Sequence, residues 1–259
     1  MRRPFLLLVS LLMATLCSAA YAATAQEVLQ KNIAAKGGAE KLKAVKSKKT
    51  SGKTIVQSME LPFTLYQKRP AMLRLETTMQ GITMVQAFDG VTGWHLLPTG
   101  GVSEPQQMAA DQVRNFRSQA DFDGPLVGFE EKGFTADLVG QEDLDGSPVY
   151  HLKLVAGSDS ARASYGEFVT HAFLDAKTFL EKKMTIEGNI EGNAFKVDTY
   201  YSDYRKVDGL TLPYSMEVRM GGLTVSKMVM NKIELNLEIS ESIFKLPQHK
   251  TESADSSKG

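Results

Sequence analysis

The sequence predicts a mainly β (α+β) fold, an antiparallel meander with a few helices set against it. Three observations point there. Short runs alternating apolar and polar residues recur from about Lys49 onward. Glycine-containing turn signals separate those runs. The chain has 259 residues of which 42% are hydrophobic, and a single cysteine, so its stability must come from a core rather than from disulfides.

The first element is a targeting segment. Met1-Arg2-Arg3-Pro4 is a basic start, "FLLLVSLLMATLCSAA" an apolar run and Ala20-Tyr21-Ala22 a small-x-small cleavage site, which predicts a signal peptide over 1–22 cut after Ala22. The run is shorter than the ~20 residues a spanning helix needs, so the expected product is soluble and exported. Cys17 would be the acylated residue of a lipoprotein-type signal, but Leu16 before it is larger than the small residue such processing requires. Residues 23–247 read as a single domain, and the polar, aperiodic "QHKTESADSSKG" as a disordered tail over 248–259.

Within the domain, "TAQEVLQKNIAAKGG" sets Val28, Leu29 and Ile33 on one helical face and stops at Gly37-Gly38. The period then changes to two. Leu61, Phe63 and Leu65 alternate with Thr64, Tyr66 and Lys68, and Leu73 and Leu75 alternate with Arg74 and Glu76. The clearest strand is late, with Leu210, Leu212, Tyr214, Met216, Val218 and Met220 on one face. Turns are expected at Asp89-Gly90, Asp145-Gly146, Glu191-Gly192-Asn193, Asp208-Gly209 and Gly221-Gly222, giving about ten strands. One stretch breaks the pattern: Glu104 to Ala120 has Ala109, Val113, Phe116 and Ala120 at helical spacing, with Met108 alongside. A helix inserted into a meander must cover apolar surface, and the concave face of a curved sheet offers it. A final turn, "SESIFKLP", is expected to pack Ile243, Phe244 and Leu246 onto the body.

Charge and motifs narrow the function. Thirty basic residues balance thirty acidic ones, and removing Arg2 and Arg3 leaves 28 against 30, a formal charge of −2. Such a chain lacks the electrostatic footprint of a nucleic-acid binder. In "FDGVTGWHL" Trp94 and His95 are neighbours on a strand and point to opposite faces, which argues against a catalytic pair and makes His95 a surface or rim residue. His151, His171 and His249 show no metal-binding spacing, and there is no nucleophile elbow, phosphate loop or dinucleotide fingerprint. Carboxylates such as Asp121, Asp123, Glu130 and Glu131 could pair for glycosidase chemistry only at a separation that a sequence does not reveal. Ten of twelve methionines follow Ala22. Flexible thioethers suit either an irregular core or a cavity that accepts varied apolar ligands, and an amphipathic helix over the sheet would serve equally as a lid or as a structural plug.

The order of parts carries a further indication. "AAKGGAEKLKAVKSKKTSGK", "LPFTLYQKRPAMLRLE", "QAFDGVTGWHLLP", the inserted helix, "ADFDGPLVGFEEKG" and "TYYSDYRKVDGLTLPYSME" together resemble the bacterial outer-membrane lipoprotein-sorting protein family, relatives of the LolA and LolB carriers, over about Ala25 to Pro247. The most specific pieces are "KRPAMLRLE", "FDGxTGW" and "YSDYRxVDGLxLP". The resemblance implies an unclosed antiparallel β-barrel, a half-barrel with helices covering the concave face. It implies a periplasmic carrier of lipoprotein acyl chains or other lipids, without enzymatic activity or cofactor.

Candidate cavity residues are those of the drier faces: Phe63, Leu65, Leu73, Leu75, Trp94, Leu212, Tyr214 and Met216, with Met108, Val113 and Phe116 from the lid; some of these will be plain core. Arg74 is expected on the convex face. The expected partners are lipid or lipoprotein acyl chains and membrane-associated donor and acceptor proteins, with no nucleic acid, no metal, and a monomeric state. Two other classes stand beside the carrier: a sensor or protein-interaction module on the same fold, and a secreted hydrolase with a carboxylate site.

Overall fold

The computed structural model describes residues 23–98, 104–121, 123–190 and 192–247; the expected signal peptide and polar tail lie outside them. The chain opens with helices α1 (Ala25–Ala35) and α2 (Ala39–Ala44). Strands β1 (Ser47–Val56), β2 (Met59–Lys68), β3 (Met72–Met79), β4 (Ile82–Phe88), β5 (Gly93–Leu96) and β6 (Gln106–Gln107) follow, then helix α3 (Ala110–Ala120). Strands β7 (Phe134–Leu144) and β8 (Ser147–Ala156) lead through helix α4 (Asp159–Tyr165) to β9 (Val169–Asp175), β10 (Glu181–Ile190), β11 (Asn193–Val207), β12 (Leu210–Met220) and β13 (Leu223–Leu235), with a short 3-10 turn at Glu241–Phe244.

All thirteen strands form one antiparallel sheet in the order β6-β5-β4-β3-β2-β1-β13-β12-β11-β10-β9-β8-β7. The end strands β6 and β7 do not pair, so the barrel is unclosed. Two meanders, β1 to β6 and β7 to β13, are joined where β1 meets β13, with Thr50 opposite Ile233 and Lys48 opposite Leu235.

Local chemistry explains the punctuation. Thr24 caps α1: its side chain accepts from the Glu27 amide while the Glu27 carboxylate accepts from the Thr24 amide. The helix ends at Gly37, φ 120°, where a Cβ would lie 2.5 Å from the Gly209 carbonyl oxygen. Only glycine lets the end of α1 sit this close to the β11–β12 turn, where the Thr211 amide donates to the Lys36 carbonyl. Asp145-Gly146, Asp208-Gly209 and Gly221-Gly222 are two-residue hairpins with both residues at positive φ, as expected. Gln57-Ser58 and Gln80-Gly81 make two more that the sequence did not announce.

The inserted helix is shorter than expected. Glu104 to Ala109 is not helical: Gln106 and Gln107 pair as a strand with His95 and Trp94, and the helix starts only at Ala110. The Gln112 side chain, accepting from the Ala109 amide, marks that start.

Register fixes the faces. Phe63, Leu65, Leu73 and Leu75 sit opposite or beside one another across β2 and β3, on the face that the helices cover. Helices α1 and α4 with Leu126 cover β7 to β9 through Val28, Leu29, Ala161, Leu152, Leu154 and Leu174. Val113 and Phe116 of α3 pack on Leu73 and Phe88. The convex face is crossed by the segment after β13. Phe244 is fully buried there, whereas Leu246, expected to pack, is 41% exposed.

A half-covered concave face and its cavity

Between the two covered ends, the concave face keeps a cavity of about 700 Å³. Its walls come from β10 to β12, from Leu42 and Val45 at α2, from Leu126, and from α3 and the residues after it. Phe195, Val197, Thr199 and Tyr201 alternate along β11 toward the interior, opposite Met184 and Ile186 of β10 and Met216 of β12. That wall is mostly apolar, with the hydroxyls of Thr199 and Tyr201 its polar groups.

At the other end of the cavity charged and polar groups stand among Leu42, Val45, Leu210 and Leu235. Lys36, at the end of α1, forms a 2.8 Å ion pair with Glu181, the first residue of β10. Burial pushes the Glu181 carboxyl up, but the Lys36 ammonium outweighs this and holds it below the usual carboxylate range. The Tyr204 hydroxyl donates to the Glu181 carbonyl at 2.8 Å. Burial, with the Glu181 charge second, pushes both the Tyr204 and the Tyr201 phenols up. Lys48 and Gln67, paired across β1 and β2, line the same end. Burial, followed by the charge of Lys36, brings the Lys48 ammonium down to about 8; Asp123 opposes the shift and Arg69 adds to it. Beside them Arg69 grips Asp123 through two hydrogen bonds of 2.8 and 2.9 Å. Lys132 holds Asp121 at 2.7 Å, and the Tyr165 hydroxyl donates to the same carboxylate. Burial and that hydrogen bond push the Tyr165 phenol up.

Of the residues singled out from the sequence, Leu212 and Met216 line the cavity. Phe63 and Tyr214 share the concave face with them but are packed into a cluster with Met230 and Ile233, joined by Leu65 and Leu75. Leu73, Val113 and Phe116 belong to the contact between α3 and the sheet. Met108 is buried where its amide donates to the Gly93 carbonyl; a Cβ on Gly93 would lie 2.7 Å from the Met108 sulfur, so this glycine admits the thioether.

Trp94 lies elsewhere. It pairs with Ala87, which pairs with Arg74, and this places it on the convex face beneath the C-terminal segment. Its indole N–H donates to the Phe244 carbonyl at 2.9 Å, and the Arg74 guanidinium sits 5.5 Å from its ring. The Arg74 guanidinium also donates to the Ile243 carbonyl. Arg74 thus stands on the convex face, as expected, and the tryptophan expected in the cavity stands there with it. His95, paired with Gln86, takes the concave side.

The convex face also joins two histidines that the sequence held apart. The His151 and His171 ring nitrogens are 2.7 Å from one another, with Glu142 3.7 Å from the first and Glu187 3.3 Å from the second. Burial lowers the His151 pKa, and the nearby Glu142 carboxylate only partly offsets it. Among the described residues no group of three or more His, Cys, Asp or Glu is placed to hold a metal ion, and no helix is long and apolar enough to cross a membrane.

Sequence reasoning missed Lys36, Lys48, Gln67, Glu181, Tyr201 and Tyr204, and the apolar wall of β10 and β11. The alternation "FKVDTYY" was the available signal for the wall. Nothing in the lysine-rich "KSKKTSGK" singles out Lys48.

No family model matches the chain, and no curated protein is similar to it in sequence. Solved structures do resemble it. A DUF1329 family protein from Desulfovibrio piger superposes with a TM-score of 0.59 at 11% identity, over 85% of this chain and 97% of that one. A LolA superfamily protein from Nitrosomonas europaea gives 0.55 at 17% identity, over 86% and 98%. A putative outer-membrane lipoprotein-sorting protein domain from Vibrio parahaemolyticus gives 0.53 at 11%, over 84% and 94%. With a single unclosed sheet and helices on its concave side, the chain shares its fold with these LolA superfamily, lipoprotein-sorting and DUF1329 proteins.

Proposed function

We propose that the protein is an exported carrier that shelters lipid or lipoprotein acyl chains in the concave cavity, acting in the periplasm by binding and release rather than by catalysis. The observation that carries this reading is the cavity itself, about 700 Å³ and walled by Met184, Ile186, Phe195, Val197, Leu212 and Met216. That volume falls in the range of small-molecule sites, ~300–1,000 Å³. Burying apolar area contributes roughly 25 cal/mol per Å² relative to water, so an apolar cavity offsets the loss of the bilayer interior when a chain leaves it. The fold neighbours named for lipoprotein sorting support this reading.

Native mass spectrometry with lipid extraction, on protein purified from the periplasm, tests it. Co-purified lipid or acylated protein is the expected result. An empty protein that also refuses a fluorescent acyl probe would overturn the carrier.

A second reading, a sensor or interaction module, rests on a different observation. Met59, Ile82, Met220 and Leu223 flank the hairpins at Gln57-Ser58, Gln80-Gly81 and Gly221-Gly222 and are 45 to 74% exposed along one rim of the sheet. A stoichiometric protein partner recovered without lipid would favour it.

A further inference from the structure

The charges in and behind the cavity wall are answered from within the protein. Lys36 closes on Glu181, Arg69 on Asp123 and Lys132 on Asp121, at 2.7 to 2.8 Å. Lys48 is engaged as well, and Asp123 is the carboxylate that favours its ammonium. Arg114 stands exposed on α3, where water screens it. Leu42, Val45, Leu210 and Leu235 line the cavity among these groups. A charged head entering here would have to break an existing pair, and a charge taken out of water without a partner is costly.

A neutral group is left over. Among the described residues two buried side-chain oxygens accept no hydrogen bond, Asn32 Oδ1 and Gln67 Oε1. Asn32 is not part of the cavity wall, whereas Gln67 is. Gln67 stands on β2 between Lys48 and Leu73 of the flanking strands and is only 6% exposed. Its amide nitrogen donates to the Gln119 carbonyl at 3.4 Å. A carbonyl only accepts, so this contact fixes which end of the amide is the nitrogen and leaves the oxygen to accept from another group. An amide oxygen shut away from water without a donor is unfavourable. A donor brought into the cavity removes that cost.

Size limits what can bring it. At about 30 Å³ per non-hydrogen atom, the share of a water molecule in the liquid, a cavity of about 700 Å³ holds roughly two dozen atoms. One long chain with a small head fits that space; the several chains of a fully acylated lipoprotein anchor do not fit it together.

Building on the carrier reading, we propose that the cavity selects a neutral single-chain amphiphile whose head carries a hydrogen-bond donor, a hydroxyl or an amide N–H, and that this donor bonds to Gln67 Oε1. The chain lies against Met184, Ile186, Phe195, Val197 and Met216 of β10 to β12. Without an acceptor to meet it, such a head would lose its bonds to water on entry and gain nothing in return.

The test uses the delipidated mature chain at pH 8 and displacement of cis-parinaric acid, whose ionised head has no donor and so reports on the cavity whether or not Gln67 takes part. Tetradecanol is compared with tetradecyl methyl ether, and myristamide with N,N-dimethylmyristamide; the methylated member of each pair lacks the donor. The expected result is a preference of at least about fivefold for the donor in one or both pairs, with the preferred donor also displacing the probe better than myristate does. That preference is lost in Q67M, which still binds cis-parinaric acid and keeps the wild-type circular dichroism. If Q67M does not fold, the ratios within the pairs on the wild-type protein decide by themselves. Equal displacement within both pairs would overturn the proposal and leave the carrier intact. So would a preference that survives in Q67M, or myristate displacing the probe better than either donor. A protein that takes up neither the probe nor any competitor would overturn the carrier and the proposal with it. A preference confined to the alcohol pair assigns a hydroxyl head, and one confined to the amide pair an amide N–H.

Discussion

At the scale of single residues, Lys48 sets a pH dependence. Its ammonium falls to about 8 in the folded protein against 10.5 for an ordinary lysine, so between those values the unfolded chain holds a proton that the folded one has released. Stability then rises with pH across that window. Lys36, Arg69 and Asp123 are the charges that act on it, and the first two also disfavour the ammonium. K48M removes the penalty: it should melt higher than wild type at pH 7, with each kcal/mol worth about 2–4 °C, and the gap should narrow between pH 8 and 10.5 in thermal melts. Glu181 has the opposite sign. Its carboxyl is held low, so the stability it contributes is present above about pH 4.5 and is lost as pH falls through its folded value. E181A leaves the half-buried Lys36 ammonium without its buried carboxylate partner, which should cost up to about 3 kcal/mol at pH 7 in urea unfolding. That deficit should shrink in acid.

At the scale of elements, the C-terminal segment acts as a strap over the convex face. Ser47 donates to the Leu237 carbonyl, Lys68 to that of Ile239, Arg74 to that of Ile243 and Trp94 to that of Phe244. F244A should therefore destabilise by about 3–5 kcal/mol and shift Trp94 emission to the red, whereas ligand entering the concave cavity should leave that emission nearly unchanged. The strap also explains what the sequence showed and what it hid. The opposite facing of Trp94 and His95 was legible, because alternation is local. Which of the two faces is dry was not, since β5 is covered on one side by α3 and on the other by residues about 150 positions away. Asp-Gly and Gly-Gly announced their hairpins; Gln57-Ser58 did not, because neither residue type favours positive φ. The start of α3 was misplaced since Pro105 reads as an early helix residue, while Gln106 and Gln107 were recruited to the sheet edge.

At the scale of the whole molecule, the cavity depends on where the covering elements stop. The apolar face of β12 was readable from Leu210 to Met220, but a lining residue differs from a core residue only by what lies opposite. Leu212 and Met216 look into the cavity while Tyr214, between them in the same alternation, packs against Phe63. Lys48 and Glu181 line one cavity from β1 and β10, which three strands separate in the sheet, an arrangement invisible to any window of sequence. A ligand bound there touches β10, β11, β12 and α3 at once, so saturation should stabilise the entire domain. At a hundredfold excess over Kd the gain is about 2.7 kcal/mol, and differential scanning fluorimetry with cis-parinaric acid should show a single transition moved up by about 5–10 °C.

The seam between β1 and β13 has a consequence for how the chain reaches this state. The strand that completes the centre of the sheet is the last one made, so neither meander can bury its inner edge until residues 223–235 arrive. Closing a loop of nearly the whole chain is slow. Until it closes, the β1 and β12 edges both present unpaired amides to any neighbour. A product truncated before Leu223 would keep both edges open and should aggregate, which makes the final strand the molecule's own safeguard against strand exchange between copies.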